Sequence, residues 1–179
     1  TAELVVREED SMQKWWCSIW DECSEQLFHE FLEREDAGQG WPALGDLSQV
    51  VKKSEQEIEK GIRERYWNCC EEHCSVTLLS TFRYILSPEI VSEDILVARQ
   101  GSKLYGIGIV NDPSYRYWPE SVNYCHRIKK VEWFAHIFPE RKGYVSVLEN
   151  YSTPDKPIQG IKRIGEKWSR KIDEILAII

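Results

Sequence analysis

The stretch that decides the fold is Leu104-Tyr105-Gly106-Ile107-Gly108-Ile109-Val110. Its apolar residues are mostly β-branched, and the run is too short for a helix. Gly106 and Gly108 would each weaken a helix by about 1 kcal/mol. The run therefore reads as a central strand, apolar on both faces, with glycines that let another backbone or a ligand come close. Two further apolar runs flank it, Asp94–Gly101 (DILVARQG) and Arg127–Phe134 (RIKKVEWF). Gly101-Ser102-Lys103 between the first two is a hairpin signal. Asn111–Tyr124, NDPSYRYWPESVNY, reads as a polar, aromatic loop before the third run.

Working outward, QKWWCSIW (13–20) predicts a strand, because it is aromatic and β-branched. A helix follows from Glu25 to about Glu35, with Leu27, Phe28, Phe31 and Leu32 on one stripe. The glycines and proline of AGQGWPALGDLS (37–48) forbid a helix there and leave a short strand and a loop. Val51, Ile58 and Ile62 share one face of a second, surface helix, and 76–86 reads as a buried one. Tyr144–Leu148 predicts a last strand, and Ile158–Ile179 a terminal helix. The class is α+β, with about five or six strands in a barrel-like sheet, helices inserted early and one at the end. The chain divides into a main domain over 1–157 and a C-terminal helix over 158–179.

A chain of 179 residues supports one domain with a full core. No run of about 18 apolar residues predicts a membrane span, and the acidic N-terminus lacks a signal core. A cytoplasmic protein with reduced thiols is expected from its six cysteines and sufficient core. The net charge of −7 excludes broad nucleic-acid binding through phosphates alone. The charge is uneven, however. Residues 1–74 carry 8 basic and 18 acidic side chains, and 75–179 carry 15 and 12. Any nucleic-acid surface should lie on the second part, where Arg99, Lys103, Arg116, Arg127, Lys129 and Lys130 are the candidate backbone contacts.

No phosphate-binding, nucleophile-elbow or zinc-protease motif is present. The four histidines form no partnered pattern, so no catalytic residue is assigned and no enzyme activity is expected. NCCEEHC (68–74) offers soft ligands but lacks paired CxxC knuckles, and no metal or cofactor is assigned. Among the eight tryptophans, Trp41 and Trp118 sit in loops beside Gly and Pro. Large rings in such loops suit a flat ligand held between two indoles. A flipped-out base is one such ligand, since it regains on aromatic faces the stacking it has lost.

WPALGDLS, DILVARQGSKLYGIGIV, YRYW and HRIKKVEW, in this order, resemble the EVE and YTH domains of the PUA superfamily. More particularly they resemble the N-terminal domain of archaeal McrB-type restriction proteins, from about Trp15 to Tyr151. The resemblance implies a small curved β-barrel, flanked by helices, that sequesters one modified base in an aromatic cage. It implies methylated double-stranded DNA as partner, with N6-methyladenine favoured and methylcytosine next. A YTH-like reader of methylated RNA is the alternative. Carried over by position, Trp41 and Trp118 are the cage walls, and Tyr117 or Tyr115 can replace the second. Trp20 is a possible third wall, and Asp21 would accept a hydrogen bond from the base edge. KIDEILAII, at the end, resembles the helix leading to a GTP-hydrolysing AAA+ motor, through which such proteins self-assemble and act with a nuclease subunit.

Overall fold

The computed structural model describes residues 12–19, 24–40, 45–49, 54, 56–58, 60–61, 63–64, 89–120, 125–154 and 160–179. Its strands are β1 (Lys14–Ser18), β2 (Ala37–Gln39), β3 (Ile95–Gln100), β4 (Lys103–Tyr117), β5 (His126–His136) and β6 (Ile161–Arg163). The helices whose bounds are fully described are α1 (Ser24–Arg34) and α2 (Glu166–Ile178), with a 3-10 segment at Ser146–Asn150. The strands form one mixed sheet in the order β2-β5-β4-β3-β1-β6, in which β1 and β3 are parallel and every other pair is antiparallel. The class is α+β as expected, but the sheet is open: β2 and β6 are its two edges and do not pair, so the expected barrel is not closed.

LYGIGIV lies at the centre, between β3 and β5. Gly101 has φ +57°, and with Ser102 it makes the two-residue turn that pairs Gln100 with Lys103. The glycines of β4 serve side-chain packing and close backbone contact. A Cβ at Gly106 would lie 2.6 Å from the Phe28 ring and 2.9 Å from the Ala135 carbonyl oxygen. At Gly108 it would meet Trp133 and Val131 at 2.8 Å. These absences let α1 sit close on the sheet. Its stripe of Leu27, Phe28 and Phe31 is buried, and the Phe28 ring centre lies 5.2 Å from Trp133 and 5.7 Å from Tyr105 and from Phe138. Burial of one such ring contributes about 1.5–3 kcal/mol.

Three readings are corrected. The stretch after Val110 is no loop: β4 continues to Tyr117. Asn111-Asp112-Pro113-Ser114 carries turn-forming residues because a bulge sits there. The register with β5 shifts between Asp112 and Tyr115, where a proline that cannot donate is tolerated. Tyr144 forms only an isolated bridge to His136, and Ser146–Asn150 is 3-10, in place of a last strand. Ile161–Arg163 is strand β6, not the start of a long helix. Beyond β3, β1 offered an open edge, and three residues before Gly165 satisfy it by pairing with Trp15, Trp16 and Cys17. α2 then packs Trp168 edge-on against Trp16 at 5.9 Å and buries Ile172 and Ile175.

Within the second expected helix, residues 56–58, 60–61 and 63–64 are helical and Ile58 is buried. The expected helix over 76–86 and the NCCEEHC stretch lie outside the described residues. No helix among the described residues is long and apolar enough to cross a membrane. Among them, no group of three or more His, Cys, Asp or Glu is placed to hold a metal ion.

Candidate nucleic-acid interface

One end of the β2-β5-β4 edge gathers polar and aromatic side chains. Gln39, His126 and Tyr117 are direct cross-strand neighbours, and so are Ala37, Ile128 and Tyr115 one step inward. Residues directly opposite in a ladder, and residues two apart on one strand, project from the same face. Gln39, His126, Tyr115 and Tyr117 therefore share one face of the sheet. Tyr115 Oη lies 2.7 Å from His126 Nδ1 and accepts the Leu47 N–H at 3.1 Å. A hydroxyl that accepts from Leu47 still has its own proton to donate. This favours His126 accepting at Nδ1 and, when neutral, carrying its proton on Nε2. The Tyr117 ring lies 5.7 Å from the His126 ring. Burial pushes the Tyr115 and Tyr117 hydroxyls above the usual phenol range, so both stay protonated donors at neutral pH.

Gln39 is 4% exposed, and its amide nitrogen finds no acceptor among the described residues. A buried, unsatisfied amide N–H costs about 1–3 kcal/mol. Gln39 opens a segment that returns to the same face at Leu47, where the backbone N–H meets Tyr115. Trp41 falls two residues after Gln39 in sequence. Trp41, Trp20 and Asp21 themselves lie outside the described residues.

The opposite face carries α1. Arg116 and Arg127 pair across β4 and β5, so both project there. Arg127 is fully buried: it donates to Glu30 and to Asp36, each at 2.5 Å, and its guanidinium lies over the Phe31 ring. α1 delivers both carboxylates. Glu35, at its end, takes φ 54°, and Asp36 N–H closes on the Phe31 carbonyl at 3.2 Å. That is a Schellman closure with Glu where Gly is usual. Desolvation raises the Asp36 carboxyl above its ordinary value, against the pull of Arg127. Trp118, just past β4, is half-buried, with the Arg116 guanidinium 4.2 Å and that of Arg34 4.4 Å from its ring centre.

The expected site residues thus separate. Tyr117 and Trp118 stand at the same end of the sheet but on opposite faces. Arg127 and Arg99 are corrected from surface contacts to internal ties. Arg99 is 2% exposed and donates to Gly101 O, Thr153 Oγ1 and Pro154 O at 2.6–3.3 Å. Arg99 is held by carbonyl and hydroxyl oxygens and Arg127 by two carboxylates, partners that charge counting along a sequence does not reveal. Lys103 pairs with Glu25 at 3.1 Å, at the far end of β4 from Arg116. Lys129 and Lys130 are exposed on β5, the first 3.5 Å from Asp112.

Sequence reasoning passed over Gln39, Arg34 and the partnership of His126. The alternation in Tyr115-Arg116-Tyr117 carried the signal: in a strand it places both tyrosines on one face and the arginine on the other.

A family model described as a domain of unknown function, DUF8426, matches residues 15–151. No curated protein matches the chain. Among solved structures, the YTH domain of the Zygosaccharomyces rouxii MRB1 protein, in complex with N6-methyladenosine RNA, is similar with a TM-score of 0.43. The two share 8% identity, over 93% of this chain and 87% of that one. A likeness of that size carries no weight for fold or function. The family match covers most of the chain, which therefore belongs to the DUF8426 family.

Proposed function

We propose that this DUF8426 domain is a non-catalytic reader of a modified base in nucleic acid. The base flips out of its strand into a slot that we place on the sheet face shared by Tyr117, Tyr115, His126 and Gln39. One observation carries the reading: a buried glutamine amide with no acceptor among the described residues stands in line with an imidazole and a phenol on a single sheet face. Aromatic faces supply stacking worth about 1–3 kcal/mol per base, and polar groups supply readout of the base edge. Trp41 serves as the stacking wall. Trp20 and Asp21 remain the proposed third wall and second edge contact.

Methylated double-stranded DNA is the proposed partner, with N6-methyladenine first and methylcytosine next. Methylated RNA is the alternative. A methyl group adds about 0.8 kcal/mol by burial alone, so a close fit must supply the rest of the selectivity. In the parent protein, α2 leads toward a GTP-hydrolysing AAA+ motor that assembles and acts with a nuclease subunit in the cytoplasm. Gln39→Leu tests the reading. Removing an unsatisfied donor should leave stability unchanged or raise it, while lowering affinity for an N6-methyladenine duplex about fivefold or more. Lost stability with unchanged binding would show that the glutamine is only part of the packing.

A further inference from the structure

We propose that Arg34 and Arg116, seated on Trp118, form a phosphodiester clamp on the α1 side of the same sheet end. The inference rests on the reading of this end as a nucleic-acid site, and it changes the role of Trp118 from cage wall to pedestal. Two guanidiniums lie within 4.4 Å of one ring centre, so they are at most about 9 Å apart. Both arginines are exposed. Their surroundings are poor in acceptors. Arg34 Nε faces Glu30 Oε1 at 3.4 Å, but that same oxygen accepts from the buried Arg127 at 2.5 Å. Arg116 has no ion pair among the described residues, and the buried Trp118 N–H has no acceptor among them.

The cluster therefore holds two exposed cations and a spare donor, and Glu30, the carboxylate that Arg34 meets, is shared with Arg127. Contact with the indole face seats each guanidinium, and the exposure of both side chains leaves N–H groups to bond a ligand. That geometry matches the oxygens of a phosphate, which a planar fork can grip with two parallel hydrogen bonds. Lys129 and Lys130 lack such seating and would act as diffuse charge.

The test is a salt titration of binding to a fluorescein-labelled DNA duplex, unmodified and carrying N6-methyladenine, with Arg34→Gln, Arg116→Gln and Trp118→Leu. The proposal expects each arginine variant to weaken both probes about three- to tenfold near 0.1 M salt. The slope of log K against log salt should fall by about one in each. Trp118→Leu should weaken both probes while the protein still melts cooperatively, and Trp118→Phe should recover part of the loss.

If the wild type prefers the methylated probe but neither arginine variant changes the slope, the clamp is overturned and the base-reading slot stands. If the slopes fall but the wild type binds both probes alike, the clamp stands and the base-reading slot fails. No binding of either probe by the wild type, at any salt, overturns both.

Discussion

Arg127→Met should unfold this domain far more readily without touching nucleic-acid recognition directly. The guanidinium is wholly buried and holds Glu30 of α1 and Asp36, just past the helix end. Met fills most of the volume but satisfies neither carboxylate. Breaking a buried ion pair by removing one partner costs about 3–5 kcal/mol. Asp36 is already raised by desolvation, and losing Arg127 pushes its carboxyl further toward the neutral acid. For a domain of this size, each kcal/mol lowers Tm by about 2–4 °C, so a fall of about 6–20 °C is expected. Urea melts followed by tryptophan fluorescence give the free energy directly. The triple variant Glu30→Gln, Asp36→Asn, Arg127→Met should recover at least half the loss, since no charge is then left buried alone. A loss under about 1 kcal/mol, accompanied by a reduced salt slope for DNA, would refute the placement of Arg127 inside the fold and restore it as a backbone contact.

Four further outcomes follow from the same structure. Gly106→Ala should cost about 1–3 kcal/mol in a denaturant melt, because its Cβ meets a buried ring and a backbone carbonyl that cannot retreat. Gly165→Ala, with nothing within 4 Å, should change stability by under about 0.5 kcal/mol. Lys129→Gln and Lys130→Gln should weaken modified and unmodified duplexes alike, leaving their ratio fixed in a fluorescence-polarisation assay. Burial pushes the Cys17 thiol up from 9.0 to about 12. Above pH 9 the unfolded chain therefore loses a proton that the folded chain keeps, so this thiol lowers stability as pH rises toward 12, by at most about 1.4 kcal/mol per pH unit. In melts between about pH 8 and 10, roughly one unit either side of that onset, Cys17→Ala should flatten this part of the pH dependence.

Much of the fold was legible because local signals and tertiary demands agree along β3, β4 and α1. The turn at Gly101, the stripe of Leu27, Phe28 and Phe31, and the central place of LYGIGIV all follow from spacing. The failures fall where a partner strand decides. Ile161–Arg163 has helical neighbours in sequence, but the free edge of β1 claims it. Asn111–Ser114 has loop composition, but β5 holds it in register through a bulge. Closure of a barrel depends on whether two edges meet, and no local pattern encodes that.

The candidate site divides in the same way. Tyr117 was legible as an aromatic at the rim. The burial of Arg99 and Arg127 was not, because a run such as HRIKK shows charge without showing which carboxylate faces it. Gln39 went unnoticed because a lone glutamine in a short strand carries no signal until its neighbours are seen to leave it without an acceptor.

The most direct test of the base-reading slot is the affinity of the wild type and Tyr117→Ala for matched duplexes. The set carries N6-methyladenine, 5-methylcytosine, 5-hydroxymethylcytosine, N4-methylcytosine or no mark, with a methylated RNA alongside. Base reading through this slot predicts that one mark is bound about tenfold or more tighter than the unmarked duplex, a difference of about 1.4 kcal/mol. It also predicts that Tyr117→Ala removes most of that preference while the protein stays folded. Equal affinity for every probe, or a preference that survives in Tyr117→Ala, would contradict it.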